Sequence, residues 1–468
     1  MVKKNTWETY SSKQLKELEK INAQYRDFLD NGKTERECID TIVNTIEKSG
    51  YRELESLIKE GTALKTGDKV YSVWMNKSIA MFQIGRKPMT EGMNILGAHI
   101  DSPRLDVKQN PLYEDGGFAY LDTHYYGGVK KYQWVTIPLA IHGVIVKKDG
   151  TCVEINIGEN EDDPVFFVSD LLIHLAQEQL EKKAAKVIEG EALDIIVGNK
   201  PLLIDKKDKK KDEKEAGKEA VKAGVLDILK ETYDIHEEDF VSAELEIVPA
   251  GKAREAGFDR SMTLAYGQDD RVCAYTSMQA MLDSDVTDRT MCCILVDKEE
   301  IGSVGATGMQ SHFFENAVAE VMNLTGEYSE LHVRRCLAHS CMLSSDVSSA
   351  FDPTYASSFD KKNVAYLGGG MVINKFTGAR GKSGSNDANA EYLAHLRHIF
   401  DKAEVNFQTA ELGKVDLGGG GTIAYVMANK AMSVIDSGVA VLSMHAPYEV
   451  TSSNFRIISV LAELAVLP

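Results

Sequence analysis

Residues 291–308 read MCCILVDKEEIGSVGATG. Six apolar residues in a row predict a strand buried on both faces. Four charged residues, Asp297 to Glu300, end it. The glycines at 302, 305 and 308 then let the backbone bend tightly, and a helix follows from Ser311. A strand buried on both faces needs helices on both, which is the arrangement of a mostly parallel sheet.

The pattern repeats outward. A helix begins near Asp270 (RVCAYTSMQAML). SCMLSSD reads as a strand ending at Asp346, and a helix from Asp387 leads to strand VNFQ. After GGGG at 418–421 come helix TIAYVMA, strand GVAVLSMH ending at His445, and a closing helix, TSSNFRIISVLAELAVL. Upstream, VYSVWM, SIAMFQIG and NILGAHIDSPRLDVK each carry a β-like run. Residues 11–49 read as two helices, capped by Ser11 or Ser12 and by Thr34. The expected fold class is α/β, a mixed, largely parallel sheet flanked by helices.

Residues 106–250 have another texture, with β-like runs, several glycines and aromatic residues at Tyr120, Tyr125, Tyr126, Tyr132 and Trp134. The expected organisation is a split domain, 1–103 and 251–468, around an inserted β-rich domain at 104–250. Within the insertion, DKKDKKKDEKEAGKEAVKAG from Asp205 is too charged to bury a core and predicts a mobile segment near 205–220.

Composition sets outer bounds. The 468 residues hold 53 Lys and Arg against 71 Asp and Glu, a net charge of -18. That balance disfavours nucleic acid, whose phosphates need a basic face, and anionic membrane. No apolar run approaches the roughly 18–20 residues of a membrane span. The seven cysteines are scattered without a CxxC, which fits reduced thiols and a cytoplasmic setting.

Metal-capable side chains stand at or beyond the C-terminal ends of five segments: His99 with Asp101, Asp269 with Asp270, Glu299 with Glu300, Asp346, and His445. Open α/β sheets build their sites at that edge. Taken singly, each has a plainer reading: a satisfied core histidine, helix caps at Asp269 and Asp270, a solvated turn at 297–300. Taken together, two His, two Asp and one Glu form a five-ligand set with Glu299 spare. Asp101, two residues along the strand from His99, faces the same side and can orient the imidazole. Mixed N/O ligation suits Zn²⁺ and tolerates Co²⁺ or Mn²⁺. Two such ions sharing one carboxylate polarise a carbonyl and make hydroxide near neutral pH, and a spare glutamate moves the proton. The chemistry implied is metal-assisted amide hydrolysis. No GxSxG, GxxxxGK[ST] or HExxH is present to compete.

At GAHIDSPRLDVK, QDDR, DKEEIGS, SSDVSSAFDP and SMHAPYEVTSSNF the chain resembles the aspartyl aminopeptidase family of dinuclear zinc metallopeptidases, in family order and over nearly its whole length. The resemblance implies a zinc-aminopeptidase-like fold and removal of N-terminal residues from peptides. It implies that Asp269 bridges two metal ions per subunit, that His99 and Asp346 complete one site, and that Glu300 and His445 complete the other. Glu299 becomes the general base and Asp101 the group that orients His99. The inserted domain becomes a dimerisation domain within a dodecamer built from dimers, and His174 becomes a substrate contact offered to a neighbouring subunit.

Members of that family selective for acidic N-terminal residues use a lysine in a VIK-like stretch. Here the stretch is MVINKFTGARGK, with Asn374 in that place and Lys375 one position on. Strand alternation turns Lys375 to the other face; Arg380 and Lys382 are further cations nearby. An acidic (Asp or Glu) preference stays open if Lys375 serves through a bulge or Arg380 or Lys382 replaces it, and a neutral or broader preference is equally consistent with this departure. Lys375 and Gly420, the latter in the run that brings backbone amides close to a substrate, stand beside His174 as substrate-binding candidates. Other classes with the same ligands are a two-metal deacylase or carboxypeptidase, and a non-enzymatic shell-forming scaffold.

Overall fold

The computed structural model describes residues 5–202, 219–378 and 380–454. Residues 205–218 of the charged stretch, and the part from residue 455 on of the closing helix expected to start at Thr451, lie outside them. The chain divides into two compact units. One gathers residues up to Ser102, Ala253–Met444 and those from Tyr448 onward; the other gathers Pro103–Lys252 with His445–Pro447.

The first unit is built on a nine-stranded sheet. Its strands in chain order are β1 (Arg52–Glu53), β2 (Lys69–Trp74), β3 (Ser78–Gln83), β4 (Asn94–His99), β5 (Met291–Val296), β6 (Cys341–Ser345), β7 (Met371–Asn374), β8 (Phe407–Thr409) and β9 (Ser433–Gly438). Across the sheet the order is β1-β2-β3-β5-β4-β6-β9-β7-β8. The central strands β5, β4, β6 and β9 run parallel to one another. β3 and β7 flank them antiparallel. The expected α/β class, mixed and largely parallel, is what is found.

Alternation along β5 explains why its six residues are all apolar. Cys293 and Leu295 join a core with Tyr25, Ile42, Met278 and Phe400 on one face. Cys292, Ile294 and Val296 join Phe82, Phe314, Val318 and Met427 on the other. Helices Ser12–Asn31 and Glu35–Glu47 begin at Ser11 and Thr34, each forming a capping box with the residue three positions on. All seven cysteines are free thiols. Among the described residues no helix is long and apolar enough to cross a membrane.

A second sheet of the same unit contains Arg254–Ala256, Met262–Ala265, Glu449–Ser452, Ala440–Leu442 and Ser348–Ser349. This corrects two expectations. GVAVLSMH is not one strand of the main sheet: that place is taken by β9, and only Ala440–Leu442 of the run is a strand, in the second sheet. Ser443 and His445 have left-handed φ of 59° and 64°, which breaks the strand before the histidine. Thr451 and Ser452 extend a strand rather than open a helix.

The second unit carries a six-stranded antiparallel sheet in the order Cys152–Ile157, Leu139–Val146, Ala243–Pro249, Arg104–Asp115, Phe118–Tyr126, Ile195–Gly198. Helix Ala220–Tyr233 packs on it. Leu121, Ile141, Ile155, Ile228 and Leu229 line an apolar cavity of about 250 Å³ there. The apolar run around His174 is not a buried helix: Ile173–Leu175 is a single 3-10 turn, and all three residues are exposed.

Candidate metal centre

His99 is the last residue of β4 and only 1% exposed. Its Nδ1 lies 3.0 Å from the backbone oxygen of Asp101 and 3.2 Å from Asp101 Oδ1. Both neighbours are acceptors, so Nδ1 carries the hydrogen and the Nε2 lone pair points the other way. Nε2 faces Asp269 Oδ1 at 3.3 Å, and Glu299 Oε2 and Asp346 Oδ1 at 4.0 Å each. Ligand atoms of His99, Asp269 and Asp346 all lie within 4.8 Å of one another.

Asp101 is fully buried and has a second task. Its Oδ1 accepts the Glu299 amide and its Oδ2 the Glu300 amide, each at 3.1 Å. One carboxylate therefore orients the imidazole and grips the turn bearing both glutamates. That turn is irregular: Lys298 and Gly302 both adopt left-handed φ, 69° and 96°. The apolar strand β5 thus ends in a tight bend rather than continuing.

Asp269 is held through its backbone. Its amide donates to Glu449 Oε2 at 2.9 Å, and its carbonyl accepts the Ser102 hydroxyl at 2.6 Å. The Gln268 side chain donates to the backbone oxygens of Thr263 and Glu449. Asp269 and Asp270 open helix Gln268–Asp283 with non-helical φ/ψ, and Gly267 occupies the cap position. Asp270 is buried and is not the helix cap that the sequence suggested.

Glu300 and Asp269 bring carboxylate oxygens within 4.8 Å of each other. His445 belongs to the 445–447 segment of the second unit. Its Nδ1 lies 3.0 Å from the Gly128 carbonyl oxygen. Only an N–H satisfies that oxygen, so Nδ1 carries the hydrogen and Nε2 the lone pair, by the same reasoning as for His99.

The electrostatics test whether a cation fits. Burial pushes the Asp346 carboxyl well above the usual carboxylate range, and the charges of Asp270 and Asp269 add to the effect. Burial likewise pushes Asp270 up; His99 pulls against it and Asp269 adds to it. Burial alone would lower the His99 imidazole, but hydrogen bonds to Asp101 and Asp269 outweigh it and the net direction is up. Carboxylates crowded around one imidazole are a set short of positive charge. A divalent cation supplies that charge, and the donors, one nitrogen and carboxylate oxygens, are those zinc accepts.

The substrate-binding candidates are placed differently. His174 is exposed on the second unit. Lys375 pairs with Asp387, and Lys382 Nζ lies 2.9 Å from the same carboxylate. Asn374 is buried at the end of β7, its Nδ2 donating to the Ala410 oxygen at 3.0 Å. The Gly420 amide donates to the Thr377 oxygen at 3.0 Å, so that N–H is engaged within the chain. Sequence reasoning missed Ser102 and Glu449 as supports of Asp269. Both lie within quoted motifs, but neither contact is visible from spacing.

A family model described as "Aminopeptidase I zinc metalloprotease (M18)" matches residues 28–462. The chain is 62% identical over 449 residues to "Probable M18 family aminopeptidase 1" of Clostridium acetobutylicum, covering 96% of this chain and 94% of that one. The crystal structure of aminopeptidase I from Clostridium acetobutylicum is similar with a TM-score of 0.89 at 57% identity, covering 99% of both chains. That of an M18 aminopeptidase from Thermotoga maritima is similar with a TM-score of 0.92 at 42% identity, covering 100% of this chain and 99% of that one.

Proposed function

The chain belongs to the M18 family of zinc metallo-aminopeptidases, and from that premise we propose how its residues divide the work of removing an N-terminal residue from a peptide. The observation that carries the assignment is the meeting of His99, Asp269 and Asp346, with Asp101 orienting His99 and gripping the Glu299 turn. His99, Asp269 and Asp346 would hold one divalent ion, and Glu300 and His445, with Asp269, are the residues that would hold a second. When bound, such ions supply Lewis acidity to the scissile carbonyl and lower the pKa of water. Zn²⁺ is the expected metal, with Co²⁺ or Mn²⁺ as substitutes.

Glu299 is the general base. It takes the proton from the attacking water and returns it to the leaving amine. Asp101 orients His99 and fixes the height of the Glu299 turn through the two amide bonds. Substrates are peptides with a free N-terminus, and the favoured N-terminal residue is neutral. The support for that preference is local: Asn374 occupies the strand position of the expected lysine and its amide is engaged with the Ala410 oxygen, while Lys375 and Lys382 are both drawn to Asp387.

The working form is a homo-oligomer, a dodecamer built from dimers that form through the inserted unit, with His174 presented to a neighbouring subunit. Supporting this, Leu171, Leu172, Ile173, Leu175 and Leu180 lie 47–67% exposed on that unit, more apolar surface than a monomer usually leaves open. A cytoplasmic setting accords with the seven free thiols.

The test is a panel of Leu, Met, Lys, Asp and Glu p-nitroanilides, each with a free and an acetylated amine, in Zn²⁺, Co²⁺ or Mn²⁺. Free-amine Leu and Met substrates are expected to be cut fastest and acetylated ones not at all. Release of acetate from the acetylated substrates would point instead to a deacylase, and a lead for Asp and Glu would overturn the neutral preference.

A further inference from the structure

A polar row crosses the middle of the main sheet. Register places Gly97 of β4 beside Ser344 of β6, Ser344 beside Asp436 of β9, and Asp436 beside Asn374 of β7. The three side chains are buried, with Ser344 and Asp436 at 0% and 2% exposure. Burying polar groups in a sheet core costs stability unless their hydrogen bonds are met. Here Ser344 Oγ and Asp436 Oδ2 have no hydrogen-bond partner among the described residues. Residues kept at such a cost usually serve a site.

Asp436 makes one strong contact. Its Oδ1 accepts the Thr422 hydroxyl at 2.5 Å. Thr422 ends the glycine run 418–421, and its Oγ accepts the Ala424 amide at 3.2 Å, opening the short helix Ala424–Ala428. The next residue, Tyr425, receives a hydrogen bond at its hydroxyl from Gln310 Nε2 at 3.0 Å. The same Gln310 nitrogen donates to the Gly302 carbonyl at 2.9 Å. Gly302 closes the turn that carries Glu299. A continuous chain of contacts thus runs from the sheet floor to the general base. Asp436 also feels Glu299 directly: burial pushes its carboxyl up to about 7, and the Glu299 charge contributes in the same direction.

We propose that Asp436 and Thr422 are positioning residues, which set the glycine run 418–421 and, through Tyr425 and Gln310, the Glu299 turn. This rests on Glu299 as the general base. Thr422 serves as the link because a hydroxyl donates and accepts at once. It gives its proton to Asp436 and takes the Ala424 amide, so the helix start cannot shift without breaking one of the two. Side chains anchored this way hold a reacting group to within a fraction of an ångström, the range over which rates change steeply.

The experiment compares wild type with Thr422→Val, which keeps the shape and removes the hydroxyl, Thr422→Ser, which restores it, and Asp436→Asn, which keeps an acceptor oxygen. For each, kcat and KM are measured on leucine p-nitroanilide, together with metal content and hydrogen exchange of peptides covering 299–303 and 418–428. Thr422→Val is expected to lower kcat about tenfold with KM within about twofold, unchanged metal content, and faster exchange in those two peptides alone. Thr422→Ser and Asp436→Asn are expected to stay within about twofold of wild type. Wild-type kcat and exchange in Thr422→Val would overturn the proposal, as would faster exchange throughout the chain or a loss that Thr422→Ser fails to rescue. Hydrogen exchange needs no turnover. If the wild type cleaves no aminoacyl substrate, the aminopeptidase reading fails while the link between the two segments is still tested.

Discussion

Asp101 accepts the amides of Glu299 and Glu300 while its carboxylate faces the imidazole of His99. The second relation was legible in His-Ile-Asp from the expectation that residues two apart on a strand share a face, although β4 ends at His99 and Asp101 reaches the imidazole from beyond the strand. The first was not, since it joins positions 198 residues apart in the chain. Replacing Asp101 by Asn puts an N–H₂ where an acceptor is needed, against either His99 or one of the two glutamate amides. Metal affinity of Asp101→Asn is expected to fall by about 10–100-fold, the usual effect of losing a group that orients a ligand. Competition with a chromogenic chelator measures it, and unchanged affinity would contradict the role. The candidate ligands, His99, Asp269 and Asp346, are readable in the sequence as acidic or imidazole side chains at strand ends. Their supports are not: nothing in the spacing of Ser102 or Glu449 signals that each grips the backbone of Asp269.

At the scale of elements, the strands that periodicity describes well are those with apolar residues on both faces, such as β5. β9 escaped notice for the opposite reason. Its residues, SVIDSG, place Asp436 and Ser437 in a buried strand, where a pattern reader expects apolar side chains. The more apolar run that follows, GVAVLSMH, carries the stronger strand pattern, yet only Ala440–Leu442 within it pairs in the second sheet. The Lys298–Gly302 turn was legible from its glycines, though not its geometry. Gly302 has φ of 96°, and a Cβ added there meets no atom within 4 Å. The cost of a side chain is therefore conformational, about 1–2 kcal/mol for a left-handed residue. Gly302→Ala is expected to lower the thermal unfolding midpoint without displacing neighbours; an unchanged midpoint would show that the turn tolerates a side chain at no cost.

For the whole molecule, composition excluded more than it identified. The net charge of -18 disfavours nucleic acid and anionic membrane without testing either, and it also counts the carboxylates of the candidate metal centre as if no cation stood among them. Near His99 the crowding of Asp269, Asp270 and Asp346 is a local demand for positive charge. Family membership supplies the zinc chemistry, and the site supplies the residues that carry it out. The most direct test of the account measures metal content and turnover on the same samples of wild type and Glu299→Gln. Both are expected to hold about two divalent ions per chain, with turnover of an aminoacyl amide reduced at least about a hundredfold in Glu299→Gln. Full turnover in Glu299→Gln, or turnover by wild type stripped of metal, would contradict it.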